Sequence, residues 1–311
     1  MGVSYPPRMT DRAVATRAAS HRTGAPGSRR ALRVRRVLAT LIVLVGLLIG
    51  LDYAAAAAAE SVVSREMRQQ LNLADDPSVR FNNFPFLAQA IAGTYKSVDV
   101  TADHLTVGPL RDVQLRTQLR GVRAPLSELL GGARTLSVRE AEGTVRVGAP
   151  DLEKLVQARI ATSGLPLTVD KLYIDGMDAA GLERAVEEDG ADPAVLRIDP
   201  PTAARIGGTL DVAGQLKTPV TVIAELQLAA GEAQIVPRDV RIGDVGDDDP
   251  LPVPLPRAQV EEAIAQVLAL RLRPGDLPLQ VTPTKLRATS GGLEISGLTG
   301  RLTLGASGVT G

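Results

Sequence analysis

Apolar and polar residues alternate one for one along much of this chain. Val113, Leu115, Thr117 and Leu119 are interleaved with Gln114, Arg116, Gln118 and Arg120. Val220, Val222, Ala224, Leu226 and Leu228 alternate with Thr221, Ile223, Glu225 and Gln227. Successive strand side chains point to opposite faces, so this period predicts antiparallel strands with one face in water and one against apolar material. Leu136, Val138, Val145 and Val147 predict a hairpin across Glu142-Gly143, and Leu293, Ile295, Leu302 and Leu304 predict another near the C-terminus.

Helical spacing is rarer. Ala54–Leu73 is Ala-rich and strongly helix-forming, with Asp75, Asp76 and Pro77 to stop it. Beyond it the period of 3.6 predicts three helices: Phe86–Ala92, Asp151–Ile160 with Asp151 as N-cap, and Arg257–Leu272 with Val260, Ile264, Val267 and Leu268 on one stripe. Many strands and few helices predict an α+β fold, a curved antiparallel sheet wrapped around a few amphipathic helices. Leu251–Pro256 (LPVPLP) reads as a stiff crossover. An internal echo follows the last two helices: Leu165-Pro166-Leu167-Thr168-Val169 then Lys171-Leu172, against Leu277-Pro278-Leu279-Gln280-Val281 then Lys285-Leu286. It is compatible with a pseudo-symmetric wrap around a shared cavity and equally with coincidence.

One segment is apolar without any period. Val37–Leu51 runs fifteen residues without a charge, behind Arg29, Arg30, Arg33, Arg35 and Arg36. This is a membrane helix by its pattern, and the flanking arginines predict a cytoplasmic N-terminus with everything downstream exported. Fifteen helical residues span roughly 22 Å, short of the ~30 Å hydrocarbon layer. Asp52 and Tyr53 are therefore expected at the outer interface, with Arg35 and Arg36 at the inner one next to Val37. A cleaved signal peptide is the competing reading, because the Ala run offers cleavage sites. Helix-forming sequence continuing directly from Leu51 favours an uncleaved anchor. The organisation expected is a basic, disordered tail (1–31), a signal anchor (32–53), an Ala-rich helix (54–75) and an extracytoplasmic body (76–311).

Composition narrows the chemistry. The formal charge of zero conceals nine Arg and one Asp in residues 1–36, which leaves the rest at −8. An acidic body lacks the basic face that nucleic acid requires. There is no Cys, so no disulfide, zinc-thiolate site or cysteine nucleophile is possible. Of the two His, His21 lies in the tail and His104 in a strand-like stretch. No G-x-S-x-G, H-E-x-x-H or P-loop motif is present. Asp247-Asp248-Asp249 lacks the ligand spacing of a calcium loop, and Glu187-Glu188 reads as exposed charge. No enzyme, cofactor or metal is expected.

Aromatic residues are 2% of the chain, yet all three Phe lie between 81 and 86. Phe81, Phe84, Pro85, Phe86, Leu87, Ile91 and Tyr95 form the candidate lipid-contacting set, either a groove for acyl chains or a lip on the membrane. A sealed core cluster is the alternative. The stretch F-N-N-F-P-F-L-A-Q-A-I-A-G-T-Y-K-S-V-D-V, behind an Arg-flanked anchor, Asp52 and an Ala-rich helix, resembles the actinobacterial LmeA-like family of phospholipid-binding envelope proteins. Phe84–Leu87, Gln89, Gly93 and Val98-Asp99-Val100 fit that family's motif; Asn83 stands where Gly is common and Ala88 where Thr is usual. The resemblance implies an extracytoplasmic α+β body with an elongated apolar cavity, similar to tubular lipid-binding folds, and a role in envelope lipid or lipoglycan homeostasis. It implies a phospholipid or lipid-linked glycan as partner and no catalytic residues. Two rival functions remain open: an adaptor that docks an envelope enzyme through a sheet edge, and a hydrolase built around His104, Asp99 and Asp103.

Overall fold

The computed structural model describes residues 28–124, 135–164, 166–212, 214, 216–229, 231–243, 256–272, 282–305 and 308–310. The tail before Ser28, Asp247–Asp249, residues 251–255 and the strand start at 277–281 lie outside them. The chain divides into two units, residues 1–49 and 50–311.

In the first unit the described residues belong to helix α1 (Ser28–Leu71). Its apolar side chains from Val34 to Ile49 are exposed. A helix buried in a soluble core would cover them, so this pattern needs an apolar surrounding. Among the described residues it is the one helix long and apolar enough to cross a membrane, with a mean hydropathy of 2.3 in its most apolar window.

The second unit holds residues 50–71 of α1, which end at Asn72 in the left-handed region (φ 49°) rather than at the Asp75-Asp76-Pro77 stop. Two antiparallel sheets follow. The first contains β1 (Ser78–Asn82), β2 (Thr94–Val107), β3 (Leu110–Arg123), β4 (Thr135–Val138), β5 (Glu140–Gly148), β11 (Thr282–Thr289), β12 (Gly292–Thr299), β13 (Leu302–Gly305) and β14 (Gly308–Thr310). The second contains β6 (Leu167–Gly176), β7 (Ala203–Val212), β8 (Leu216–Ala229), β9 (Glu232–Ile242) and β10 (Arg271–Leu272). The fold is α+β with a curled antiparallel sheet, as its period-two pattern implies.

Neither expected hairpin exists. Ser137 pairs Arg123, while Glu140 pairs Arg120 and Val147 pairs Val113, so β4 and β5 continue one another along β3 in a single register. Likewise β12 lies along β5 and β13 along β4. Glu142-Gly143 is mid-strand. The alternation slips because the sheet is creased. Buried Val98 gives way to buried Tyr95, and buried Ala141 to buried Val138. The residues between them, Lys96 with Ser97 and Arg139 with Glu140, both escape burial. Two outward residues in succession mimic a turn on paper.

Helices α2 (Phe86–Ala92), α3 (Ala149–Ser163), α4 (Ala179–Glu187) and α5 (Arg257–Leu268) complete the described elements, with 3-10 turns at Pro193–Arg197 and Pro200–Thr202. α3 carries the chain from the first sheet to the second (β5–α3–β6), α5 joins β9 to β10 within the second, and the chain is back in the first at β11. Leu152, Val156 and Ile160 of α3 and Val260, Ile264 and Val267 of α5 join Val113, Val145, Val222 and Leu293 in the main core between them. A second core lies further along the same face of β2, where Ala59 and Val63 of α1 meet Val79, Phe86, Val98 and Val100.

Three sequence expectations need correction. Asp151 is not an N-cap: the cap is Gly148, and Asp151 lies inside the first turn. The helix expected over Arg257–Leu272 ends at Leu268 and gives way to β10. α4 was missed because its apolar side, Leu182 and Ala185, is narrow; it covers Ile223 on the far face of β8, in a small third core. The echo lands on similar distortions, since β6 shifts register between Asp170 and Tyr173 and β11 between Pro283 and Lys285.

Candidate functional site

The Phe-Pro-Phe segment is built around one carboxylate. The N-cap of α2 is Pro85, which supplies no side-chain acceptor. A helix start leaves orphan N–H groups that require one. Asp52, 34 residues upstream on α1, fills the role: the Phe86 N–H donates to its Oδ2 (2.8 Å) and the Leu87 N–H to its Oδ1 (2.7 Å). Asp52 is 5% exposed, and its negative charge sits at the positive end of α2. Gln89 ties the loop from within, its amide donating to the Asn83 carbonyl and its Oε1 accepting the Lys96 N–H (3.0 Å). Glu60 of α1 accepts the Phe81 N–H (2.8 Å).

This scaffold divides the candidate set. Phe81, Phe86 and Tyr95 pack together with ring centroids 4.9–6.1 Å apart, and Leu87 leans on the same core. Burial pushes the Tyr95 hydroxyl above the ordinary phenol range, and among the described residues it has no hydrogen-bond partner. Phe84 and Ile91 face outward at 56% and 88% exposure. Phe84 stacks on exposed Tyr53, centroids 6.1 Å apart. Of the remaining anchor residues, Arg35, Arg36, Val37 and Leu51 are exposed.

A cavity of about 570 Å³ opens elsewhere in the body. Its walls are the β2–β3 turn (Val107, Gly108, Pro109, Leu110), Val145 and Val147 of β5, Leu155 and Arg159 of α3, Ile295 of β12, and Ala269–Leu272 after α5. The volume falls in the range of small-molecule sites, and among the described residues the lining is apolar except for two arginines. Arg159 donates to the Ala269 carbonyl (2.8 Å), which fixes α3 to the segment that follows α5. The turn is held from below by buried Asp151, whose Oδ2 accepts the Arg111 and Asp112 N–H groups (2.9 and 2.7 Å) while Oδ1 accepts Lys154 Nζ (2.9 Å). Burial pushes the Asp151 carboxyl up, but the Lys154 bond and charge and the two backbone donors outweigh it and leave it below the usual range.

The family of LmeA-like phospholipid-binding proteins matches residues 50–297, most of the chain. The protein belongs to that family. No curated protein and no solved structure matches it. The match begins at Gly50, so it takes in Asp52, the Phe-Pro-Phe segment and the whole cavity wall. Within the family motif, Asn83 adopts φ 77°. That left-handed backbone is natural for Gly, and Asn is among the few other residues that tolerate it. Asn83 thus keeps the left-handed turn that the commoner Gly would allow.

Sequence patterning missed the cavity because its walls come from separate periodic runs and from the breaks between them. Gly108-Pro109 is a turn, and Ala269–Leu272 was absorbed into an overlong helix; only the failure of the stripe after Leu268 marks the break. His104 Nδ1 lies 2.6 Å from Asp112 Oδ1, both side chains more than half exposed. Asp103 is exposed and Asp99 half-buried, bonded by Gln118.

Proposed function

We propose that the body shelters a phospholipid, with acyl chain in the cavity between the first sheet, α3 and the segment after α5, and phosphate between Arg159 and Arg271 at its polar edge. The apolar cavity of about 570 Å³, in a phospholipid-binding family, carries this reading. Each methylene withdrawn from water contributes ~0.8 kcal/mol, so even part of a chain yields useful affinity. A guanidinium presents a planar fork of donors suited to a phosphate. α1 tethers the body to the outer surface of the cell membrane, which keeps it at high effective concentration beside its ligand. Among the described residues the ionisable groups on the cavity wall are the two arginines, which suit a lipid phosphate and support a carrier in envelope lipid assembly.

Native mass spectrometry of the full chain, purified in mild detergent and offered phosphatidylglycerol, tests this. Wild type is expected to retain phospholipid. Leu155→Trp, which fills the cavity from a half-buried position, is expected to lose it while melting within a few degrees of wild type. Wild type that stays empty, or Leu155→Trp that loads equally well, would overturn the assignment.

A further inference from the structure

The outward side of α2 breaks the rule for a surface helix. Phe86, Gln89 and Ala90 point into the core, so Ala88, Ile91 and Ala92 form the exposed side, and none is polar. A solvated helix carries polar residues there. The anomaly extends beyond the helix. Phe81–Tyr95 contains no Asp, Glu, Lys or Arg. Phe84 and Tyr53 add a stacked, exposed aromatic pair beside it, and Leu51 is 54% exposed. Four of the body's large exposed hydrophobics, Leu51, Tyr53, Phe84 and Ile91, thus belong to two short stretches, one on each side of the Asp52 cap.

Cations adjoin this stretch in the chain: Arg80 and Lys96 bracket it, Arg80 opposite Asp99 on β2, and Arg123 pairs across from Thr94 at the start of β2. All three are exposed, and among the described residues none has an acidic partner within ion-pair distance. Exposed aromatic and aliphatic residues with cations beside them in the chain are the composition of an interfacial anchor. Leu51 and Tyr53 also follow directly on the apolar run of α1 in the chain, where a membrane span would emerge.

We propose that α2's outward side, with Phe84 and Tyr53, is a membrane-docking surface that seats the body on an anionic bilayer, Ile91 and Phe84 entering the acyl boundary. It rests on the reading of α1 as a tether but not on the cavity as the lipid site. The Asp52 carboxylate and Gln89 give the surface its rigidity, because they fix the helix and the Phe84 loop to α1 and β2. The docked partner is the lipid surface itself, as distinct from the single lipid held inside.

The chain contains no Trp, so one introduced Trp reports its own surroundings. Phe84→Trp and Ile91→Trp, each in the full chain, are reconstituted into phosphatidylcholine–phosphatidylglycerol vesicles with brominated acyl chains. Tyr173→Trp, at an exposed position on β6, is the control. Both lip variants are expected to lose most of their emission to bromine while the control keeps its own. Ile91 is 88% exposed, so its variant folds even where Phe84→Trp does not. Lip variants as bright as the control would overturn the proposal, and retention of phospholipid in native mass spectra would then leave the cavity reading intact. Quenching in a chain that retains no lipid would do the reverse. Equal quenching in vesicles without phosphatidylglycerol would remove the role given to Arg80, Lys96 and Arg123.

Discussion

Replacing Asp52 by alanine is the sharpest test of how the Phe-Pro-Phe segment is held. The carboxylate accepts two short bonds, 2.8 and 2.7 Å, from the first two amides of α2. Hydrogen bonds to a charged group contribute about 1.5–3 kcal/mol each, and a buried donor left without an acceptor forfeits its hydration as well. Against this, Asp52→Ala relieves the cost of keeping a carboxylate only 5% exposed. The net loss expected is about 2–4 kcal/mol, above the ~1 kcal/mol typical of an exposed N-cap, because the Phe86 amide is buried. For a body of this size that is a fall of roughly 5–12 °C in melting temperature. Asp52→Asn keeps one acceptor and turns an NH₂ toward an amide donor, so it should lose at least half as much. Circular dichroism melts of the full chain in detergent measure both variants, and hydrogen exchange of the 83–95 peptide locates the effect. Melts within ~0.5 kcal/mol of wild type would refute the cap's energetic role. A lower melting temperature with unchanged exchange at Phe86 and Leu87 would show that Asp52 acts by another route.

Other outcomes follow from the same geometry. Tyr95→Phe removes a buried hydroxyl without a partner and should stabilise the body by about 1 kcal/mol, read as a higher melting temperature. Asn83→Gly should be neutral or slightly stabilising at φ 77°, whereas Asn83→Val should cost about 1–2 kcal/mol in the same melts, since a β-branched residue resists that backbone. The Asp151 carboxyl is held below its unfolded value, so its contribution is complete above the unfolded pKa near 4 and is lost as pH falls through the depressed folded value. Acid titration of stability should therefore steepen below pH ~4 in wild type and flatten there in Asp151→Asn, with the β2–β3 turn exchanging faster.

Much of the fold was legible in the sequence because strands with one wet face must alternate. Val113 to Leu119 and Val220 to Leu226 lie in β3 and β8, and Phe86–Ala92 is helical over those same residues. What failed was reading the gaps between Val138 and Val145 and between Ile295 and Leu302 as turns. The chain runs on along its partner strands through both gaps, and only those partners reveal it. The candidate site was legible in part. The Phe cluster stood out by composition, but no local signal shows that Phe86 and Tyr95 turn inward while Phe84 and Ile91 turn out. That division is set by Asp52, a residue whose partners lie 34 and 35 positions away. The cavity was illegible for a similar reason: Gly108, Leu155, Leu270 and Ile295 meet only after the sheets have closed.

The return of the chain to the first sheet at β11 also sets the order in which the body can be completed. β12 pairs with β5 from Gly292↔Gly148 to Thr299↔Ala141, so the middle of the first sheet waits for residues made some 150 positions later. Until they arrive, β5 offers an unpaired edge with Val145 and Val147 bare beside it. Because the chain is made from its N-terminus onward, that edge stays exposed until the last residues are made. Assembly should thus be slow and late, dominated by long-range pairing. Shortening the protein by its last twenty residues should be far more damaging than a cut of the same length anywhere ahead of α1.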